Sequence, residues 1–320
     1  MAPRVLVSDE LSETAVQIFR DRGVEVDFQP KLGKDKEKLA EIIGNYDGLA
    51  IRSATKATEK LIAAATNLKV IGRAGIGVDN VDIPAASKRG IIVMNTPFGN
   101  SITTAEHAIA LMFALARQIP EANAQTQAGQ WPKSGFMGVE LTAKTLGLIG
   151  AGNIGSIVAS RALGLRMKVI AYDPFLTEER AVEMGVEKVD LDTLLSRADF
   201  VTLHTPLTEE TRNILSRERL ENAKKGIRII NCARGGLIDE LALVDALNAG
   251  HVAGAAARGN EQQVHMQGPE GEQHPRHGRD HHTRTGRPHA SPVLGLVVPL
   301  NPESHRFTRQ VHGQSGVVIS

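Results

Sequence analysis

KTLGLIGAGNIGSIVASRALGLRMKVIAYDP, Lys144 to Pro174, decides the fold of this chain. An apolar run, Thr145–Ile149, is short enough for a buried strand. It opens into Gly150-Ala151-Gly152-Asn153-Ile154-Gly155, a G-x-G-x-x-G turn. Ile154, Ile157, Val158, Ala162 and Leu163 then recur at helical spacing. A second apolar run, Met167–Tyr172, ends at Asp173. Strand, glycine turn, helix, strand and acid follow in the order that binds a dinucleotide. Gly150 permits the tight turn, Gly152 lets backbone approach a pyrophosphate, and Gly155 lets helix and strand pack closely. The helix N-terminus offers unpaired N–H groups and a positive dipole end to the phosphates. Asp173, about 20 residues past the turn, is placed to accept the ribose hydroxyls of an adenosine. A carboxylate there repels a 2′-phosphate, so the expected cofactor is NAD rather than NADP.

Working outward, residues 4–97 alternate strand and helix. Strands are expected at Arg4–Ser8, Val24–Phe28, Gly48–Ile51, Lys69–Gly72 and Ile91–Asn95, and helices at Glu10–Asp21, Lys36–Ile43 and Glu59–Ala65. Such alternation predicts a mainly parallel sheet covered on both faces. Thr103–Arg117 is apolar nearly all round and should be buried, with Ser101, Thr103 and Thr104 as candidate N-caps. Gln118–Val139, which carries Trp131, wanders without periodicity. Past the glycine turn, strands are expected at Phe200–Leu203, Ile227–Asn231 and Val252–Ala256. Asp239–Ala249 reads as a helix closed by Gly250. The fold class is therefore α/β, with two Rossmann-like, doubly wound parallel-sheet domains. The expected boundaries are a substrate domain at 1–97, a dinucleotide-binding domain at 98–256 and an aberrant tail at 257–320.

The tail is written in a different composition. Residues 257–320 contain no Lys, Trp or Tyr, a single Phe at 307, and eight of the eleven histidines. The segment cannot build a core and is expected to be largely disordered. The break falls inside a strand, which no domain boundary would choose, so a shifted reading frame near codon 257 is the expected origin. It should leave an exposed sheet edge. The spacings of His274, His277, His281 and His282 suit zinc or nickel, but without a fold to orient them they read as fortuitous composition, and no metal site is assigned. His107 is expected in the core, His204 in a structural role near the cofactor edge, and His251 at the surface.

A net charge of +1 gives no electrostatic footprint for nucleic acid or a membrane surface. No window approaches the roughly 18 uncharged apolar residues of a membrane helix. The N-terminus lacks a signal-peptide core. The single cysteine, Cys232, excludes an internal disulfide framework and suits a cytoplasmic protein.

Several further motifs carry a resemblance. They are Ile51-Arg52-Ser53-Ala54-Thr55, Gly72-Arg73-Ala74-Gly75-Ile76-Gly77-Val78-Asp79-Asn80, Asn95-Thr96-Pro97, Ala116-Arg117-Gln118-Ile119-Pro120, His204-Thr205-Pro206 and Asn231-Cys232-Ala233-Arg234-Gly235-Gly236. With the glycine turn they make residues 1–256 resemble the NAD-dependent D-3-phosphoglycerate dehydrogenases. These are a branch of the D-isomer-specific 2-hydroxyacid dehydrogenases. The resemblance implies oxidation of D-3-phosphoglycerate to 3-phosphohydroxypyruvate, the first step of serine synthesis, in a cytoplasmic homo-oligomer. It implies Arg234 as the catalytic arginine, whose planar guanidinium forks onto the substrate carboxylate and C2 oxygen. It places the cofactor against Ile76, Asn153, Ile154, Asp173, Thr205, Cys232, Ala233 and Arg234. Arg52, Ser53 and Asn80 become candidates for gripping the anionic ends of the substrate. Arg73 is weighed evenly against a solvated charge, and Lys133 is not favoured.

The chain departs from that family after Ala256. The expected Asp-Val-Phe strand, Glu-Pro and Pro-His-x-Gly are absent, and with them the glutamate and the histidine that act as orienting acid and general base. Three readings compete: a dehydrogenase with a damaged translation, a non-catalytic NAD-binding module, and a product that misfolds. Another 2-hydroxyacid dehydrogenase, such as a glyoxylate/hydroxypyruvate reductase, is the alternative within the enzyme class.

Overall fold

The structure, a computed structural model, describes residues 2–131, 135–258 and 295–299. The chain divides into two compact units: Met1–Glu106 with Gly152–Ile157, and His107–Ala151 with Val158–Ser320. Each has its own sheet.

The first unit runs β1 (Arg4–Val7), α1 (Glu13–Asp21), β2 (Glu25–Phe28), α2 (Lys36–Ile42), β3 (Gly48–Ile51), α3 (Glu59–Ala64), β4 (Val70–Arg73), α4 (Ile83–Lys88) and β5 (Ile92–Asn95). Its strands pair in the order β2-β1-β3-β4-β5, all parallel. Leu6, Leu49, Ile51 and Ile71 from the sheet pack with Leu39, Ile43, Leu61 and Ile62. Strand order reverses between β1 and β3. In open α/β sheets the carboxyl ends of strands at such a reversal form the ligand crevice.

Two helices follow, α5 (Ser101–Arg117) and α6 (Ile119–Gln127). The chain then runs β6 (Thr145–Ile149), α7 (Asn153–Gly164), β7 (Lys168–Tyr172), α8 (Glu178–Met184), β8 (Glu187–Lys188), α9 (Leu191–Arg197), β9 (Phe200–Leu203), α10 (Arg217–Asn222), β10 (Ile227–Asn231), α11 (Glu240–Asn248), β11 (Val252–Arg258) and β12 (Gly295–Pro299), all in the second unit except Asn153–Ile157. The sheet order is β12-β11-β10-β9-β6-β7-β8. The pairings are parallel except β11 with β12. Alternate residues serve opposite faces. Ile149, Val201, Leu203 and Ile229 join Leu194 of α9 and Leu243 of α11 in one core. Leu146, Thr202 and Ile230 meet Met112 of α5 and Val158 of α7 on the other. A Cβ on Gly147 would stand 2.4 Å from Leu194 Cδ2, so the missing side chain lets α9 lie close to the sheet. Strand order reverses between β6 and β9, directly beyond the glycine turn.

The doubly wound parallel architecture expected from the sequence is present in both units. Local expectations needed correction. α1 starts at Glu13 rather than Glu10, because Ser12 caps it by accepting from the Ala15 N–H. α5 starts at Ser101, whose hydroxyl donates to the Pro97 carbonyl, so neither Thr103 nor Thr104 caps it. Its Ala105, Ala108, Leu111, Met112, Leu115 and Ala116 are buried, but Ile102 is 56% exposed, so the helix is not buried all round. Gln118–Val139 contains a full helix, α6, with proline in its first turn. β11 runs to Arg258, so the compositional break does fall inside a strand, but β12 pairs along it and its edge is not bare. The rest of the tail, with its histidines and Phe307, lies outside the described residues, as does Lys133. Among the described residues no helix is long and apolar enough to cross a membrane.

Asp239 caps α11 by accepting from the Ala242 N–H at 3.0 Å. Asp239→Ala should cost about 1 kcal/mol, read as a lowered urea midpoint with an unchanged slope.

Candidate functional site

In the second unit the glycine turn leaves β6 with Gly150 at φ +94°. The Gly150 N–H donates to the Tyr172 carbonyl, and the His204 N–H donates to the Ile149 carbonyl. The turn is thus bolted to the ends of both neighbouring strands, β7 and β9. A Cβ on Gly150 would lie 2.7 Å from the His204 carbonyl oxygen, whereas one on Gly152 would meet nothing within 4 Å. The two glycines therefore answer different demands. Gly150 makes room for protein backbone, and Gly152 leaves open space where a ligand can approach.

The Ser156 N–H donates to the Gly152 carbonyl as α7 begins. The N–H groups of its first turn lack intrahelical partners by geometry. Gly152 and Asn153 are exposed, Ile154 is half-buried and Gly155 is buried. Asp173 ends β7 half-buried. Its Oδ2 accepts from the Ala151 N–H and its Oδ1 from the Phe175 N–H, each at 2.8 Å. A carboxylate has about four acceptor positions, so both oxygens keep capacity for a vicinal diol. The turn and the acid are held together directly, a geometry suited to an adenosine ribose and its pyrophosphate.

Beyond β9, Thr205 is half-buried and its hydroxyl donates to the Pro206 carbonyl. His204 Nε2 lies 2.9 Å from Thr202 Oγ1, while Nδ1 is buried without a hydrogen-bond partner. Desolvation pushes its pKa down to about 4, so the ring is neutral at ordinary pH. Beyond β10, Cys232 is buried and Ala233 and Arg234 are half-buried. Asn231 shapes that turn: its Oδ1 accepts from the Ala233 N–H and its Nδ2 donates to the Arg234 carbonyl. Arg234 Nη1 donates to the Ala233 carbonyl at 2.9 Å. His251 is not a free surface residue; it is half-buried, with Nε2 2.8 Å from the Ala223 carbonyl oxygen.

In the first unit, Arg52 and Ser53 leave β3 exposed. Arg52 Nη1 donates to the Glu10 carbonyl at 3.3 Å. Asn80 Nδ2 donates to the carbonyls of Arg52 and Thr55. Both amide hydrogens are thereby committed to backbone. The Ile76 carbonyl accepts from Asn95 Nδ2. Sequence reasoning missed Asp9, 2% exposed at the end of β1, whose carboxylate accepts from the backbone N–H groups of Arg52 and Thr55. Its signal was an acid directly after a strand at the order reversal. Among the described residues no group of His, Cys, Asp and Glu is arranged to hold a metal ion.

Comparison with known proteins agrees with this geometry. Residues 109–291 match the family described as D-isomer specific 2-hydroxyacid dehydrogenase, NAD binding domain, a stretch that runs past Ala256, where the resemblance was expected to end. A D-3-phosphoglycerate dehydrogenase of Archaeoglobus fulgidus is 49% identical over 253 residues, covering 79% of this chain and 48% of that protein. The chain spans about half the length of the curated relatives it matches. Among solved structures, a glyoxylate reductase from Paecilomyes thermophila superposes with a TM-score of 0.75 at 33% identity, covering 83% of this chain and 84% of that one. A D-lactate dehydrogenase from Aquifex aeolicus, complexed with NAD and lactic acid, gives 0.73 at 28% identity, with 81% and 77% covered. Family match, identity and shared fold all coincide with the glycine turn and its acid: the chain belongs to the D-isomer specific 2-hydroxyacid dehydrogenases.

Proposed function

We propose that this chain binds NAD and is built for NAD-dependent oxidation of D-3-phosphoglycerate to 3-phosphohydroxypyruvate. The observation that carries the reading is Asp173, hydrogen-bonded to the glycine turn with acceptor capacity left over. The curated relatives in Archaeoglobus fulgidus and Bacillus subtilis bear the phosphoglycerate dehydrogenase name, which favours that substrate over glyoxylate or lactate. The first unit is the proposed substrate domain and the second the cofactor domain.

The pyrophosphate rests on Gly152, Asn153, Ile154 and the start of α7, with the ribose hydroxyls on Asp173. Thr205, Cys232 and Ala233 line the rest of the cofactor path. The nicotinamide supplies the hydride acceptor. Arg234 binds the substrate carboxylate and draws electron density from the C2 oxygen as that bond gains carbonyl character. Arg52 and Ser53 grip the phosphate end. The described residues provide no general base for the C2 hydroxyl. The closest text to Pro-His-x-Gly is Pro288-His289-Ala290-Ser291, outside the described residues. Losing base and orienting acid costs several orders of magnitude, since such groups act as a unit.

The test is an NADH titration of the purified chain by fluorescence. Wild type should bind NADH in preference to NADPH, and Asp173→Ala should weaken NADH about 10- to 100-fold while erasing that preference. Phosphoglycerate oxidation should stay near background. A folded chain that binds no NADH would sink the proposal, and rapid turnover would sink the assignment of the missing base.

A further inference from the structure

The order reversal of the first sheet puts the ends of β1 and β3 side by side, and one buried carboxylate joins them. Asp9 Oδ2 accepts from the Arg52 N–H at 2.6 Å and the Thr55 N–H at 3.1 Å, and Oδ1 accepts from the Thr55 hydroxyl at 2.7 Å. Because Thr55 spends its proton on Asp9, the Ser8 hydroxyl, 2.8 Å from Thr55 Oγ1, must donate to it. Ser8, Asp9 and Thr55 are all buried. Space for them is kept by Gly33, where a Cβ would lie 2.1 Å from Thr55 Oγ1 and 2.2 Å from Asp9 Oδ1. On the other side of the loop, Asn80 donates to the carbonyls of Arg52 and Thr55. A carboxylate takes the N–H groups of the loop and a carboxamide takes its C=O groups. Ser53 and the Arg52 side chain are left exposed between them.

We propose that Asp9 is a positioning residue: it presents Arg52 and Ser53 to the anionic end of the substrate by clamping the backbone of residues 52–55 against Asn80. This rests on the reading of Arg52 and Ser53 as the anion-gripping residues. Asp9 accepts from three donors as a charged group. An asparagine there keeps the two N–H bonds only by turning its N–H₂ to Thr55 Oγ1, which reverses the Thr55–Ser8 hydroxyl pair and removes the charge that strengthens the clamp. A loop held by a buried carboxylate on one side and a carboxamide on the other pays little ordering entropy on binding.

The test uses the full chain saturated with NADH, as wild type and as Asp9→Asn. Amide exchange reports the loop directly, and calorimetric titration with D-3-phosphoglycerate reports the grip. Exchange at Arg52 and Thr55 should rise about tenfold or more while β6 and β7 amides stay protected, and affinity should fall about tenfold. Unchanged exchange at 52–55 overturns the clamp. Loosened exchange with wild-type affinity overturns its role in binding. If wild type does not bind D-3-phosphoglycerate, yet the loop loosens in the variant, the substrate reading falls and the clamp stands. Should Asp9→Asn unfold the sheet, seen as exchange at Leu6 and Val7, Thr55→Val carries the same test by removing a single donor to Asp9.

Discussion

Gly150→Ala should abolish detectable NADH binding and destabilise the chain by about 2–5 kcal/mol. Two costs add. At φ +94° an L-residue sits in the left-handed half of conformational space, at a cost of roughly 1–2 kcal/mol. The new methyl would also lie 2.7 Å from the His204 oxygen, 2.8 Å from the His204 carbonyl carbon and 3.1 Å from the Thr205 nitrogen. These are backbone atoms that cannot swing aside, so overpacking adds about 1–3 kcal/mol. Relief comes only by moving the turn off the end of β9, which displaces the α7 N-terminus and Ala151 from Asp173. Gly152→Ala is the control. It meets no protein atom, so stability should change by less than about 1 kcal/mol, yet its methyl enters the space proposed for the pyrophosphate. Urea melts and NADH titrations of both variants decide the matter. Equal behaviour of the two would remove the distinction between a glycine for packing and a glycine for the ligand.

The second large effect is acid sensitivity through His204. Its folded pKa is about 4 against a model-peptide 6.5, because burial penalises the imidazolium. The unfolded chain therefore takes up a proton that the folded chain refuses. The stabilisation is fully present above about pH 6.5 and is lost as pH falls toward 4. At about 1.36 kcal/mol per unit, the loss approaches roughly 3 kcal/mol, a large part of a typical stability. Urea midpoints at pH 7 and pH 4.5 should separate strongly for wild type and much less for His204→Gln. If both proteins lose the same stability over that window, His204 is not the group responsible.

The glycine turn and its acid were legible because their geometry is local. The Lys144–Pro174 stretch carries its own strand, turn, helix and acid within one βαβ unit. Helix ends were less legible where a cap outweighed the apolar pattern, as Ser12 does for α1. α6 was hidden because Gln118 breaks the run in a left-handed conformation before Pro120 restarts it. The short helices α4 and α8–α10 lack the length for a clear period. Each is started by a side-chain cap, at Asp82, Thr177, Asp190 and Ser216.

The amino-acid sequence by itself determined the doubly wound architecture, the dinucleotide turn, the acid that follows it and the family. The architecture, the turn and its acid follow from backbone preference and periodicity between near neighbours, and the family from the resemblance its motifs carry. Only the tertiary structure decided that Asp9 reaches Arg52 and Thr55 across the β1–β3 reversal, that Asn80 is spent on backbone, and that His204 is too buried to charge. Each depends on donors, acceptors or solvent exclusion supplied by segments far apart in the chain, and desolvation and hydrogen-bond partnership leave no periodic trace in a sequence.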